Sequence, residues 1–94
     1  VNFEWDDNKA RGNQRKHGVG FDEAKTVFRD PLARIFDDIW HSMDERREII
    51  IGHSDQGRLL VVCFTEREQS TIRIISSRVA TAQERKDYEY QRYH

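Results

Sequence analysis

Six apolar residues stand in a row at Leu59–Phe64, in the stretch RLLVVCFT. A strand sends successive side chains to opposite faces, so a run without polar alternation has two apolar faces and needs cover on both. The run is far too short to cross a bilayer. Asp55-Gln56-Gly57 before it is a turn signal, and Glu66–Ser70 after it turns the chain again. The sequence therefore predicts a central strand of a sheet covered on both sides.

The neighbouring segments supply the sheet and its cover. RREIIIGHS precedes the turn and TIRIISS follows, both with strand character, and LARIFDDIW is a further strand closed by Asp37-Asp38. Together these give about four antiparallel strands in a meander. Upstream, NFEW at residues 2–5 is a short strand. Asp6 caps a helix that runs to Lys16-His17 and stops at Gly18. VGFDEAKTVFRDP reads as a second short helix, with Phe21, Ala24, Val27 and Phe28 on one face and Pro31 ending it. Thr81 and Glu84 form a capping-box pattern that opens a last helix, AQERKDYEYQRYH. The class is α+β, with N-terminal helices packed on the sheet and a C-terminal helix.

At 94 residues the chain is expected to form a single domain over 1–94. Net charge is −1, which gives no electrostatic reason to expect nucleic acid. Acids outnumber bases between Asp22 and Glu48, and bases lead slightly from Thr65 onward, so an acidic and a more basic patch can coexist. Cys63 is the sole cysteine and sits in the apolar run, where a packing role is expected rather than a reactive thiol. A reducing cytoplasm is the expected compartment, and no signal peptide is evident.

Standard catalytic signatures are missing: no phosphate-binding glycine loop, GxSxG, paired cysteines or HExxH. His17, His41, His53 and His94 are scattered without ligand spacing, so no metal and no cofactor is expected. In the strand TIRIISS, simple alternation puts Ile72, Ile74 and Ser76 on one face and Arg73, Ile75 and Ser77 on the other. Arg73 either lies at a rim or pairs with an acid on the next strand, or it belongs to a groove for an anion flanked by Arg67 and Arg78. Guanidinium forks suit phosphate because they donate in pairs and stay charged. Glu66 and Glu68 are solvated turn charges, or one of them is a general base. Lys16-His17 is a charge pair at a helix end, or a cation beside a titrating imidazole. Phe3 and Trp5 are expected in the core, and Tyr88, Tyr90 and Tyr93 as packing residues of the last helix.

Three segments, FEWDDNKARGNQRKHGVGFDEAKTVFRDP, ERREIIIGHSDQGRLLVVCFTERE and IRIISSRVATAQERKDYE, together resemble the BrnT family of bacterial type II toxins. The similarity runs from Phe3 to about Tyr90. It rests on Trp5-Asp6 with Lys9, Lys16-His17-Gly18, Phe21 to Ala24, Thr65-Glu66-Arg67, and Ile72 to Ser76 ending in Arg78. The resemblance implies a RelE-like fold and a ribonuclease that blocks translation and growth. It implies a cognate BrnA antitoxin as partner, with operator DNA met only through that antitoxin, and no membrane. Val79 stands where the family often has a lysine.

For metal-independent RNA cleavage through the 2′-hydroxyl, the resemblance points to Arg67 and Arg78 as the groups that stabilise the phosphorane, with Arg73 beside them. His17, Glu66 and Glu68 are the candidate bases, and Lys16, Arg73 and Lys9 the RNA-contacting cations. A non-catalytic protein-binding module is the alternative. A DNA-binding repressor is weaker, because no helix-turn-helix with a basic recognition helix is evident.

Overall fold

Local capping chemistry sets the helix ends. The structure, a computed structural model, describes residues 1–41 and 45–93, with side chains through 91. The side chain of Tyr93 and all of His94 lie outside the described residues. Helix α1 (Asp7–His17) begins after Asp6, whose carboxylate accepts the Lys9 amide at 3.0 Å. It ends at Gly18, where φ is 68° and the N–H reaches Gln14 O at 2.9 Å. Helix α2 (Phe21–Ala24) is one turn long and continues as a 3-10 turn over Lys25–Arg29, ahead of Pro31. Helix α3 (Ala82–Tyr93) opens on the expected capping box: the Glu84 amide donates to Thr81 Oγ1 at 3.1 Å and the Thr81 amide to Glu84 Oε1 at 2.9 Å.

Five strands form one mixed sheet in the order β1-β5-β4-β3-β2. They are β1 (Asn2–Glu4), β2 (Arg34–Asp37), β3 (Glu48–His53), β4 (Leu59–Arg67) and β5 (Thr71–Val79). Strands β2 to β5 make the expected antiparallel meander. The correction is β1, which joins as a fifth strand, parallel to β5, with Glu4 opposite Arg73. A three-residue strand carries too little pattern to name its partner in advance. Strand β2 closes at Asp37, as expected from Asp37-Asp38, and the chain turns there, with the His41 amide meeting Asp38 O at 3.3 Å.

Strand β4 lies centrally and has two apolar faces, as expected. Leu60, Val62 and Phe64 meet Ile50 and Ile74 and the residues Phe21, Ala24 and Val27 from the helical layer. Trp5 and Phe3 pack against this core, with Trp5 edge-on to Phe21 and Phe3 tilted against Phe28. On the opposite face Leu59 packs with Ile51 and with Tyr88 of α3. Helix α3 covers only that end, so Val61 and Cys63 stay half-buried. Cover on both sides is therefore partial. Tyr88 is buried and donates to Leu32 O at 3.2 Å. Tyr90, expected to pack, is instead 64% exposed, because two residues along a helix reach the opposite side.

Strand β5 departs from simple alternation. Cys63 pairs with Ser76 and Phe64 with Ile74, so Ile75 is an extra residue, a bulge. Beyond it, Ser76 and Arg78 stand opposite Cys63 and Val61, while Ser77 stands opposite Val62 and is buried. The bulge thus moves Ser76 to the face of Arg73 and Ser77 to the face of Ile74, the reverse of the sequence expectation. Arg73 and Arg78 consequently share the face that α3 only partly covers.

Strand β1 ends at Glu4, so the outer edge of β5 beyond Arg73 lacks a strand partner. Asn13 of α1 takes that place. Its Nδ2 donates to Ser77 O at 2.8 Å and to Val19 O at 2.9 Å, and its Oδ1 accepts the Ser77 amide at 3.0 Å. One side chain thereby docks α1 along the free edge and satisfies both backbone groups of Ser77.

Candidate functional site

Where α3 leaves the sheet uncovered, a depression of about 310 Å³ opens. Ile49, Val61 and Cys63 make its apolar floor. The polar groups reach it from several elements. His17 comes from α1, one helical turn beyond Asn13 and so on the same helix face. Arg78 and Ser76 come from β5 beyond the bulge. Asp38 and Arg47 come from the ends of β2 and β3, held together by the Asp38 amide donating to Arg47 O at 2.9 Å, and His41 comes from the turn that follows.

Arg78 is held by Glu84, with Nη1 to Oε1 at 2.6 Å and Nη2 to Oε2 at 2.9 Å. This bidentate pair fixes the guanidinium plane. The Arg78 guanidinium holds the Glu84 carboxyl at about 2, with the Thr81 amide contributing. Asp38 is buried, and its two oxygens lie 3.0 and 3.1 Å from His41 Nδ1. Burial and the nearby Asp38 carboxylate push the Cys63 thiol up to about 11. It is therefore protonated at neutral pH and unsuited to nucleophilic attack, in keeping with a packing role. A second, mostly apolar hollow of about 330 Å³ adjoins along α3, lined by Phe36, Ile51 and Tyr88 and sharing Arg78 and Glu84.

The other expected arginines lie elsewhere. Arg73 pairs with Glu4 on β1 at 2.7 Å, which is the neighbouring-strand pairing named among its readings. Arg67 sits between Glu4 at 3.9 Å and Glu45 at 3.7 Å. Arg67, Glu66 and Glu68 border a separate, open hollow of about 690 Å³ around the β4–β5 turn. Arg78 stands opposite Val61, and at about 3.3 Å per residue Arg67 lies roughly 20 Å along β4 from that point. Arg67 and Arg78 therefore do not bound one phosphate. Lys16 and Lys9 are exposed, in the last and first turns of α1.

Of the expected site residues, the depression brings together His17 and Arg78. Asp38, His41 and Arg47 were not singled out from the sequence. The available signal was the Asp38-Ile39-Trp40-His41 spacing, which lets an acid and an imidazole meet across one turn. Ile35 and Phe36 of β2 and Ile39 and Trp40 of the turn after it are exposed apolar residues, with Trp40 86% exposed. Among the described residues, no cluster of three or more histidine, cysteine or acidic side chains is arranged to hold a metal ion.

Residues 5–84 match a family model described as the ribonuclease toxin, BrnT, of type II toxin-antitoxin system. The fold is similar to the crystal structure of the Brucella abortus ribonuclease toxin BrnT. That comparison has a TM-score of 0.66 and 23% identity, and covers 86% of this chain and 99% of that one. No curated protein matches the sequence.

Proposed function

The chain belongs to the BrnT family of ribonuclease toxins of type II toxin-antitoxin systems, and from that premise we propose that it cleaves RNA in the depression between His17 and Arg78. One observation carries this reading: a clamped guanidinium and an imidazole, from different elements, line the same opening above an apolar floor. Cleavage through the 2′-hydroxyl needs proton transfer and stabilisation of the phosphorane charge. Arg78 meets the second need with a preset fork, and His17 serves the first. Lys16 and Lys9 along α1 suit contacts to flanking phosphates. Arg67 and Arg73, with Glu66 and Glu68, belong to an outlying binding region rather than to the reacting phosphate. The scheme calls on no metal.

Type II toxins work against an antitoxin, and a BrnA-like protein is the partner we propose, with operator DNA reached only through it. The exposed Ile39 and Trp40, at the turn after β2, are apolar side chains such a partner would cover. A RelE-like kinship of the fold and a cytoplasmic site of action belong to the same proposal. Among the described residues, no helix is long and apolar enough to cross a membrane.

A second reading, a non-catalytic protein-binding module, is favoured by one observation: Arg67, Arg73 and Arg78 are each already paired with a carboxylate of the same chain. Inducible expression in a bacterium separates the two. Growth arrest with loss of bulk RNA is expected for the parent and not for Arg78→Ala at equal soluble level. Arrest by both would overturn the Arg78 assignment. No arrest by the folded parent would move the conclusion to the binding module.

A further inference from the structure

We propose that His41, oriented by Asp38, is a second proton-transfer group of the depression and works as a pair with His17; this rests on the ribonuclease reading above. The Asp38 side chain is 7% exposed and that of His41 68% exposed, so a buried carboxylate anchors an imidazole that faces solvent. Both Asp38 oxygens lie within 3.1 Å of Nδ1. Nδ1–H donated to that carboxylate leaves Nε2 as the free acceptor, which is how a buried acid sets the tautomer of a general base. The backbone is fixed as well, by Asp38 N–H to Arg47 O at 2.9 Å and His41 N–H to Asp38 O at 3.3 Å.

The groups facing His41 across the depression are Asp38 on its own turn, Arg47 from the start of β3, Cys63 on β4, Arg78 on β5 and His17 on α1. Glu84 stands behind Arg78. Burial keeps the Cys63 thiol protonated, which leaves the two imidazoles as the side chains of this set that can both take and give a proton. In the step that follows, His41 Nε2 takes the 2′-hydroxyl proton as the 2′-oxygen bonds to phosphorus. The bond from phosphorus to the 5′-oxygen breaks, and His17 delivers a proton to that oxygen. The products are a 2′,3′-cyclic phosphate and a 5′-hydroxyl, with no change of oxidation state. Arg78 faces the negative charge that collects on the phosphorane.

The experiment measures cleavage of a long transcript, free and on translating ribosomes, from about pH 5 to 9, with end groups mapped. Parent, His41→Gln, His17→Gln and Asp38→Asn are compared, with thermal melts to confirm folding. Expected are a bell-shaped profile for the parent and cyclic-phosphate ends. His41→Gln should lose on the order of 100-fold and one limb of the bell, and His17→Gln the other limb. Asp38 is a positioning residue, so Asp38→Asn should lower the maximum and shift, rather than abolish, the limb that His41→Gln removes. A folded His41→Gln with parental rate and profile would overturn the role of His41 and leave the ribonuclease reading intact. A parent that cleaves neither form of the transcript would overturn both.

Discussion

Asn13 shows how one side chain can serve fold and site together. In the interior of α1 an asparagine has no helical advantage. Here it makes three hydrogen bonds that tie α1 to Val19 and to both backbone groups of Ser77. Asn13→Ala leaves those groups buried without partners, so a loss of about 2 kcal/mol is expected, read as a lower urea midpoint. A midpoint unchanged within error would show that the edge finds other partners. The same residue explains why His17 reaches the depression, since it lies one turn further on the same helix face. His17 and Arg78 were legible in the sequence as a titrating group at a helix end and a cation at a strand end. Asp38 and His41 were not, because the strand end at Asp37-Asp38 was legible but not the turn that brings the imidazole back onto the Asp38 carboxylate. The pairing of Arg73 with Glu4 was legible only as one of two readings, since it depends on the parallel placement of β1.

At the scale of elements, the bulge in β5 and the start of α3 decide what the site contains. The bulge turns Arg78 onto the open face, and Glu84 of α3 then fixes it. Alternation cannot announce a bulge, since every residue from Ile72 to Ser77 fits a regular strand. The helix start was legible, because Thr81 and Glu84 form a capping box in sequence. That Glu84 also grips Arg78 was not, because the partner lies on the preceding strand. This strap has a pH signature. The folded Glu84 carboxyl lies at about 2, below the ordinary value of 4.5, so its stabilisation is present above pH 4.5 and is lost as pH falls toward 2. Glu23 is depressed in the same direction by its hydrogen bond with Arg58 and a second from Ser54. Urea midpoints are therefore expected to fall between pH 5 and pH 2.5, and Glu84→Gln to flatten part of that fall. An equal slope in parent and variant would remove Glu84 from this role.

At the scale of the whole molecule, the meander β2–β5 and the helices were readable from period and caps, and the apolar run at Leu59–Phe64 correctly marked the central strand. The fifth strand was not, because β1 is three residues long and pairs with the far end of the chain. Nor was the uneven cover of the sheet, which leaves Val61 and Cys63 half-buried and opens the depression. The near-neutral net charge also has a structural counterpart. Each of Arg67, Arg73 and Arg78 is paired with a carboxylate of the same chain. The proposed function turns on where those arginines sit: Arg78 in the depression, and Arg67 roughly 20 Å away along β4.

That separation gives the most direct test. RNA cleavage by purified parent is to be compared with Arg78→Ala and Arg67→Ala, each verified as folded by thermal melting. Arg78→Ala is expected to lose on the order of 100-fold or more in rate, and Arg67→Ala to keep a near-parental rate with weaker RNA binding. An Arg78→Ala protein that cleaves like the parent, or an Arg67→Ala loss as large as that of Arg78→Ala, would contradict the placement of the reacting phosphate in this depression.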